Sequence, residues 1–156
     1  MQTISELTSI HAHSGLVYWI GVRPERRADL IALDEVMVTE NGLEGDHYNT
    51  GGKRSVSLIQ YEHLAVIASM LGSEKINPAD LRRNIVVNGI NLLALRKAQF
   101  KIGDVILEGS GICAPCSRMQ ETLGDGGYNA VRGHGGITAT IVNPGRVQIG
   151  DSVIPL

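Results

Sequence analysis

Two stretches of this chain echo one another and limit what it can fold into. Phe100-Lys101-Ile102-Gly103-Asp104-Val105-Ile106-Leu107 is matched by Val147-Gln148-Ile149-Gly150-Asp151-Ser152-Val153-Ile154. Each is a Gly-Asp turn feeding a strand. The pair predicts hairpins in a mainly β body, not parallel strands interleaved with helices. The 19 glycines among 156 residues agree with many tight turns. With one Trp, one Phe and four Tyr, the core must be built from Ile, Val, Leu and Ala.

Further strands are expected at Val17–Arg23, Ser55–Ile59, Ile85–Val87 and Ile137–Val142, with short ones in Leu30–Leu33 and Val36–Val38. Residues 2–10 carry Ile4, Leu7 and Ile10 and are expected as a first strand. Tyr61–Leu71 sets Leu64, Ile67, Ala68 and Leu71 at helical spacing, and Gly72 is placed to end that helix. Asn77-Pro78 reads as a short helix start. Asn91–Leu95 is open between a short helix and a loop. The sum is roughly seven to nine strands in a small, partly closed barrel with one to three short helices, a form that protects strand edges. Residues 1–156 are expected as one domain.

A formal net charge of -2 supplies no broad basic field, so no nucleic-acid partner is expected. No apolar run approaches the ~20 residues of a membrane span, so no membrane partner is expected either. The early acid Glu6 and the short apolar runs around it do not read as a signal peptide. Two cysteines close together do not make a secreted disulfide framework, and a reducing cytoplasm is the expected location.

Those cysteines lie in Ile112-Cys113-Ala114-Pro115-Cys116-Ser117-Arg118-Met119. A thiol is reactive as its thiolate, and a guanidinium nearby favours that form. Three chemistries compete for the pair. Cys-x-x-Cys spacing allows thiol–disulfide exchange, although that motif belongs in a βαβ context, whereas here glycine-rich strand turns surround it and any helix that follows is only about two turns. A structural zinc site would need His47 and His134 to join the two thiols. The third is an anion pocket beside a reactive thiolate, walled by loop cations among Lys53, Arg54, Arg82, Arg83, Arg118 and Arg132. The run Arg132-Gly133-His134-Gly135-Gly136 offers open backbone N–H groups that can cradle phosphate. Cys113 can equally be a packed core residue. His11 and His13 are a weak metal pair, and Glu44-Gly45-Asp46-His47 is open between a metal loop and a hydrogen-bonded corner.

Taken together and in order, several pieces resemble the MOSC domain family, named from the C-terminal domain of molybdenum cofactor sulfurases. They are Gly42-Leu43-Glu44-Gly45-Asp46-His47, residues 52–58, Leu81-Arg82-Arg83-Asn84-Ile85, Ile102-Gly103-Asp104, Pro115-Cys116-Ser117-Arg118-Met119 and Gly133-His134-Gly135-Gly136. The resemblance is to the short, single-domain bacterial members. It implies a MOSC-type β barrel that binds molybdenum cofactor (molybdopterin) or a related phosphorylated ligand, with reduction of N-hydroxylated compounds as one activity. Cys116 then falls on the family's cysteine, which ligates molybdenum in some members and carries sulfur as a persulfide in others. By the same resemblance, Lys53, Arg54, Arg82, Arg83, Asn84, Arg118, Arg132 and His134 surround the cofactor. No ferredoxin-type or pyridoxal-phosphate desulfurase segment accompanies these pieces, so an electron-donor or sulfur-donor protein is the implied partner. A non-catalytic ligand-binding module is the third possibility.

Overall fold

A computed structural model describes all residues from Met1 to Leu156. In chain order it has helix α1 (Ile4–Thr8), strands β1 (Gly15–Val22), β2 (Ile31–Leu33), β3 (Glu35–Val38) and β4 (Val56–Gln60), helix α2 (Tyr61–Leu71) and strand β5 (Ile85–Asn88). Strands β6 (Gln99–Ile102) and β7 (Val105–Ile112), helices α3 (Ser117–Leu123) and α4 (Gly127–Val131), and strands β8 (Ile137–Asn143), β9 (Gly145–Gln148) and β10 (Ser152–Pro155) follow. Two 3₁₀ turns, Pro78–Leu81 and Leu92–Leu95, flank β5.

Seven strands close a barrel in the order β10-β6-β7-β8-β4-β5-β1, and β1 pairs back onto β10. The expected β barrel is present, and closed. Only β4 and β5 run parallel, joined through α2, with Leu58 opposite Ile85 and Ile59 opposite Val86. Both faces of these two strands are covered, which is why Leu58-Ile59 and Ile85-Val86-Val87 are apolar on either side. Leu58, Ile85 and Val87 point into the barrel with Ile20, Phe100 and Ile137. Ile59 and Val86 point outward into a second cluster with Leu64 and Ile67 of α2, Met119 of α3, and Ala130 and Val131 of α4. Fully burying an Ile or Leu side chain is worth about 1.5–3 kcal/mol. The second cluster therefore anchors α3 and α4 against the barrel wall, and with them the segment that carries both cysteines.

Strand β2 lies beside the C-terminal half of β1, and β3 with β9 forms a separate ribbon. The Gly103-Asp104 echo makes the expected hairpin, with Ile102 paired to Val105. The Gly150-Asp151 echo makes a turn but no hairpin. Its first strand, β9, pairs with β3, and its second, β10, pairs with β6 and β1. The Asp151 carboxylate caps the turn by accepting from the Gln148 N–H at 2.8 Å, while its backbone carbonyl accepts from Val17 N–H. The chain thus leaves the ribbon and enters the barrel at that point.

Residues 2–10 do not form the expected strand. Thr3 and Glu6 make a reciprocal capping box, and the chain turns into a short helix with no buried residue. Ile4 and Leu7 lie one turn apart in that helix, and Ile10 follows its end. No helix is long and apolar enough to cross a membrane.

Candidate functional site

One end of the barrel gathers the end of β1, the starts of β4, β5 and β8, and the exit of β7. A cavity of about 360 Å³ opens there. Its lining includes Arg23, Arg26, Arg27, Arg54, Arg82, Arg83 and Arg118, and no Asp, Glu, His or Lys. Ser57, Asn84, Thr138 and Tyr48 line it as well, together with Cys113, Ala114, Cys116 and Ser117.

Consecutive arginines divide their work. Asn77 caps the 3₁₀ turn before them by accepting from Ala79 N–H. Arg82 then ends that turn in the left-handed region, with φ 59°. The reversal sends Arg82 towards the cavity and Arg83 into the interior. Arg83 donates from Nε to the Gly135 carbonyl at 2.9 Å and from Nη1 to the Leu81 carbonyl at 3.1 Å. Its Nη2 reaches the carbonyls of Cys113 and Ala114 at 3.4 and 3.3 Å. Arg83 is thereby a brace between the loop before β8 and the cysteine segment.

Asn84 is a second brace. Its Oδ1 accepts from the backbone N–H and the hydroxyl of Ser57, both at 3.1 Å, and its Nδ2 donates to the Gly21 carbonyl. Three strands are tied at the cavity floor by one side chain.

Arg82 is different. The residue as a whole is 8% exposed, and its side chain makes no hydrogen bond within the protein. Its guanidinium is held below the ordinary arginine range by burial and by the positive charges of Arg23 and Arg118, while Cys116 and Asp29 act in the opposite sense. Two more guanidinium atoms, Nε of Arg23 and Nε of Arg118, are buried without partners. Buried donors normally find acceptors. Arg23 Nε lies 3.9 Å from the Asp46 carboxylate and Arg118 pairs with Glu121, so Arg82 is the one of the three without an anionic partner, and the surplus of cations describes a site built for negative charge.

The remaining bonds hold these cations in place. Buried Asp46 accepts from the backbone N–H of Arg23 at 2.8 Å and of Tyr48 at 3.3 Å. This is the hydrogen-bonded corner, not a metal loop. Arg118 donates to Glu121 at 2.9 Å and to the Arg27 carbonyl at 3.3 Å. Arg27 has φ 68°, so the loop after β1 turns back over the cavity to meet Arg118.

Both thiols are free. Cys113 is buried, and its N–H donates to the Gly136 carbonyl at 2.9 Å. Gly136 can approach because it has no side chain. Its φ is +87°, and a Cβ there would lie 1.8 Å from the Leu58 carbonyl oxygen. Cys116 is exposed and precedes the first residue of α3.

Three residues expected at the site lie elsewhere. Lys53 is exposed, and its carbonyl is taken by the Ser110 hydroxyl. Arg132 is exposed at the end of α4, and His134 stands edge-on to His63 with ring centroids 5.3 Å apart. The glycine run 133–136 does not line the cavity, and within it the His134 N–H closes onto the Val131 carbonyl. The zinc alternative fails as well, since no three metal-ligating side chains are gathered anywhere. Arg23, Arg26, Arg27 and Tyr48 line the cavity without having been expected there. Their one sequence signal is the density of arginine just after a strand.

A mainly β barrel closing over a cation-lined cavity with a free thiol defines the class. Residues 45–154 match the family model described as the MOSC domain, and the chain belongs to that family, the molybdenum-cofactor-sulfurase type of domain. Among solved structures it is similar to the YuaD protein from Bacillus subtilis, with a TM-score of 0.80 at 18% identity over 92% of this chain and 97% of that one. It is also similar to YiiM from Escherichia coli, with a TM-score of 0.71 at 20% identity over 90% and 69% of the two chains. YiiM from Geobacillus stearothermophilus gives a TM-score of 0.72 at 15% identity over 91% and 75%. At these identities the structural likeness speaks for the fold. No curated protein matches the chain.

Proposed function

We propose that the cavity binds molybdenum cofactor, or a related phosphorylated ligand, against Cys116. The observation that carries this reading is the lining itself: seven arginines and no acid, beside an exposed free thiol. A phosphate monoester is a dianion with several acceptor oxygens, and guanidinium donors match it in charge and geometry. Arg82, which faces the cavity without a protein partner, fits the phosphate, with Arg23 and Arg118 adding charge beside it. Arg54, Arg26 and Arg27 add positive charge at the mouth. The Cys116 thiolate is a soft ligand of the kind that suits molybdenum. When bound, the metal would supply two-electron oxygen-atom chemistry, including reduction of N-hydroxylated compounds. The chain's own part is to orient the phosphate and to hold the thiol segment through Arg83.

A second reading is supported by the exposure of Cys116. A thiol open to solvent and to the cavity can accept and hand on sulfur as a persulfide, with the neighbouring guanidiniums stabilising its negative charge. In either case an electron-donor or sulfur-donor protein is the proposed partner.

The test is molybdenum and pterin content of protein purified from a host that makes the cofactor, with Cys116→Ala alongside. Ligation by Cys116 predicts less metal in the variant. Equal metal and pterin in both would sink thiolate ligation, and a persulfide on Cys116 in metal-free protein would favour the second reading.

A further inference from the structure

The lining lacks one thing that most thiol chemistry needs. It has no His, Asp or Glu, the side chains that most often serve as general acid or base; of the other candidates, Tyr48 gives its hydroxyl to the Gly51 carbonyl and Cys113 is buried. Acyl transfer through Cys116 would need such a group to move a proton on or off the leaving atom. A reaction in which a thiolate displaces an anion that leaves as an anion needs none. What it needs is positive charge, because nucleophile and donor are both negative when they meet. The cavity provides that in Arg82, Arg23 and Arg118, with Arg26, Arg27 and Arg54 around the mouth. Arg82 is more than nine-tenths buried as a residue, and its side chain faces the cavity with no partner within the protein.

We infer that Cys116 takes sulfur directly from a small sulfane-sulfur oxyanion of the thiosulfate class. This rests on the reading of Cys116 and the arginine-lined cavity as the working site, and it names the donor. The Cys116 thiolate attacks the outer sulfur of thiosulfate. A bond forms between Sγ and that sulfur, the sulfur–sulfur bond to the sulfonate group breaks, and its electron pair leaves with sulfite. No proton is transferred and no external oxidant or reductant takes part. The product is a Cys116 persulfide, which the arginines hold as an anion. A nucleophilic acceptor then removes the terminal sulfur and restores the thiolate; with cyanide the product is thiocyanate. Cys113 is buried, with its backbone tied to Gly136 and Arg83, so the transfer assigns it no role.

The experiment uses the whole purified chain, thiosulfate as donor and cyanide as acceptor. In single turnover, the peptide containing Cys116 gains one sulfur atom by mass and an equal amount of sulfite appears. Steady-state thiocyanate formation is abolished in Cys116→Ser and unchanged in Lys101→Gln. Arg82→Gln raises KM for thiosulfate about tenfold or more, as loss of a charge-assisted contact predicts. Arg82→Lys, which keeps the charge, recovers part of that loss and separates binding from misfolding. Alkylation of Cys116 by iodoacetamide, with and without inorganic phosphate, is run on the same protein. If phosphate shields the thiol but thiosulfate adds no sulfur, the donor assignment is overturned and the anion site stands. If phosphate does not slow alkylation, the anion site falls and this inference falls with it.

Discussion

The Arg83 guanidinium donates from Nε to the Gly135 carbonyl at 2.9 Å, joining residues 52 positions apart in the chain. Its neighbour Arg82 makes no comparable bond and faces the cavity. Opposite consequences follow for the two substitutions. Arg83→Ala leaves four backbone carbonyls without their donor and is expected to destabilise by about 3 kcal/mol, from the loss of several buried charge-assisted bonds. Arg83→Lys recovers only part, because an ammonium cannot span the same fork. Arg82→Ala removes a cation repelled by Arg23 and Arg118, so stability is expected to hold or rise. Urea unfolding of the three variants measures all of this.

The two thiols should react at very different rates. Cys116 is exposed and Cys113 is buried behind the Gly136 contact. A thiol reagent is expected to modify one group per native chain quickly and the second only on unfolding. Cys116→Ser removes the fast phase and Cys113→Ser the slow one. Two equally fast thiols would contradict the asymmetric arrangement of the segment.

Acid should weaken the fold through the edge-on pair His63 and His134. Burial, and then the positive charge of His134, hold the His63 pKa below its ordinary value of 6.5, while Glu62 opposes them. The unfolded chain therefore binds the proton more readily than the native one. Stability from this group is present above the unfolded value and declines as pH falls from about 6.5 through the lower native pKa. Thermal melts across that range should show the decline, and His63→Gln should flatten it. A flat wild-type profile there would contradict the assignment.

How far the sequence reveals this architecture depends on the range of the interaction. Alternation in Val56–Ile59 and the stripe of α2 are local, so those elements are legible. The capping box of α1 is legible too, in Thr3 and Glu6, but the apolar spacing around it reads as a strand. The second Gly-Asp echo misleads because partner choice is made at long range: a turn signal says that the chain reverses, not that the two arms pair with each other. Helix α4 hides behind glycines that read as turn, and its place is decided by packing Ala130 and Val131 under the outer cluster.

The site divides the same way. Arg54, Arg82, Arg83, Asn84, Cys116 and Arg118 come together around one cavity, yet sequence cannot separate the bracing roles of Arg83 and Asn84 from the open role of Arg82. That difference is set by one left-handed residue, Arg82 itself. Arg23 reads as the end of a strand and Arg26 and Arg27 as a charged turn after Pro24, because nothing local reports that Arg118 will meet the Arg27 carbonyl 91 positions away. Conversely, Arg132 and His134 sit in an inviting glycine run whose backbone is already used elsewhere.

The central claim, an anion site built on Arg82 beside Cys116, is tested most directly by titrating the protein with inorganic phosphate while following its melting temperature. Ligand at about 100 times its Kd stabilises by about 2.7 kcal/mol. The account predicts a saturable rise in Tm that weakens with added chloride and disappears in Arg82→Gln. A wild-type Tm that phosphate does not raise, or a rise that Arg82→Gln leaves intact, would contradict it.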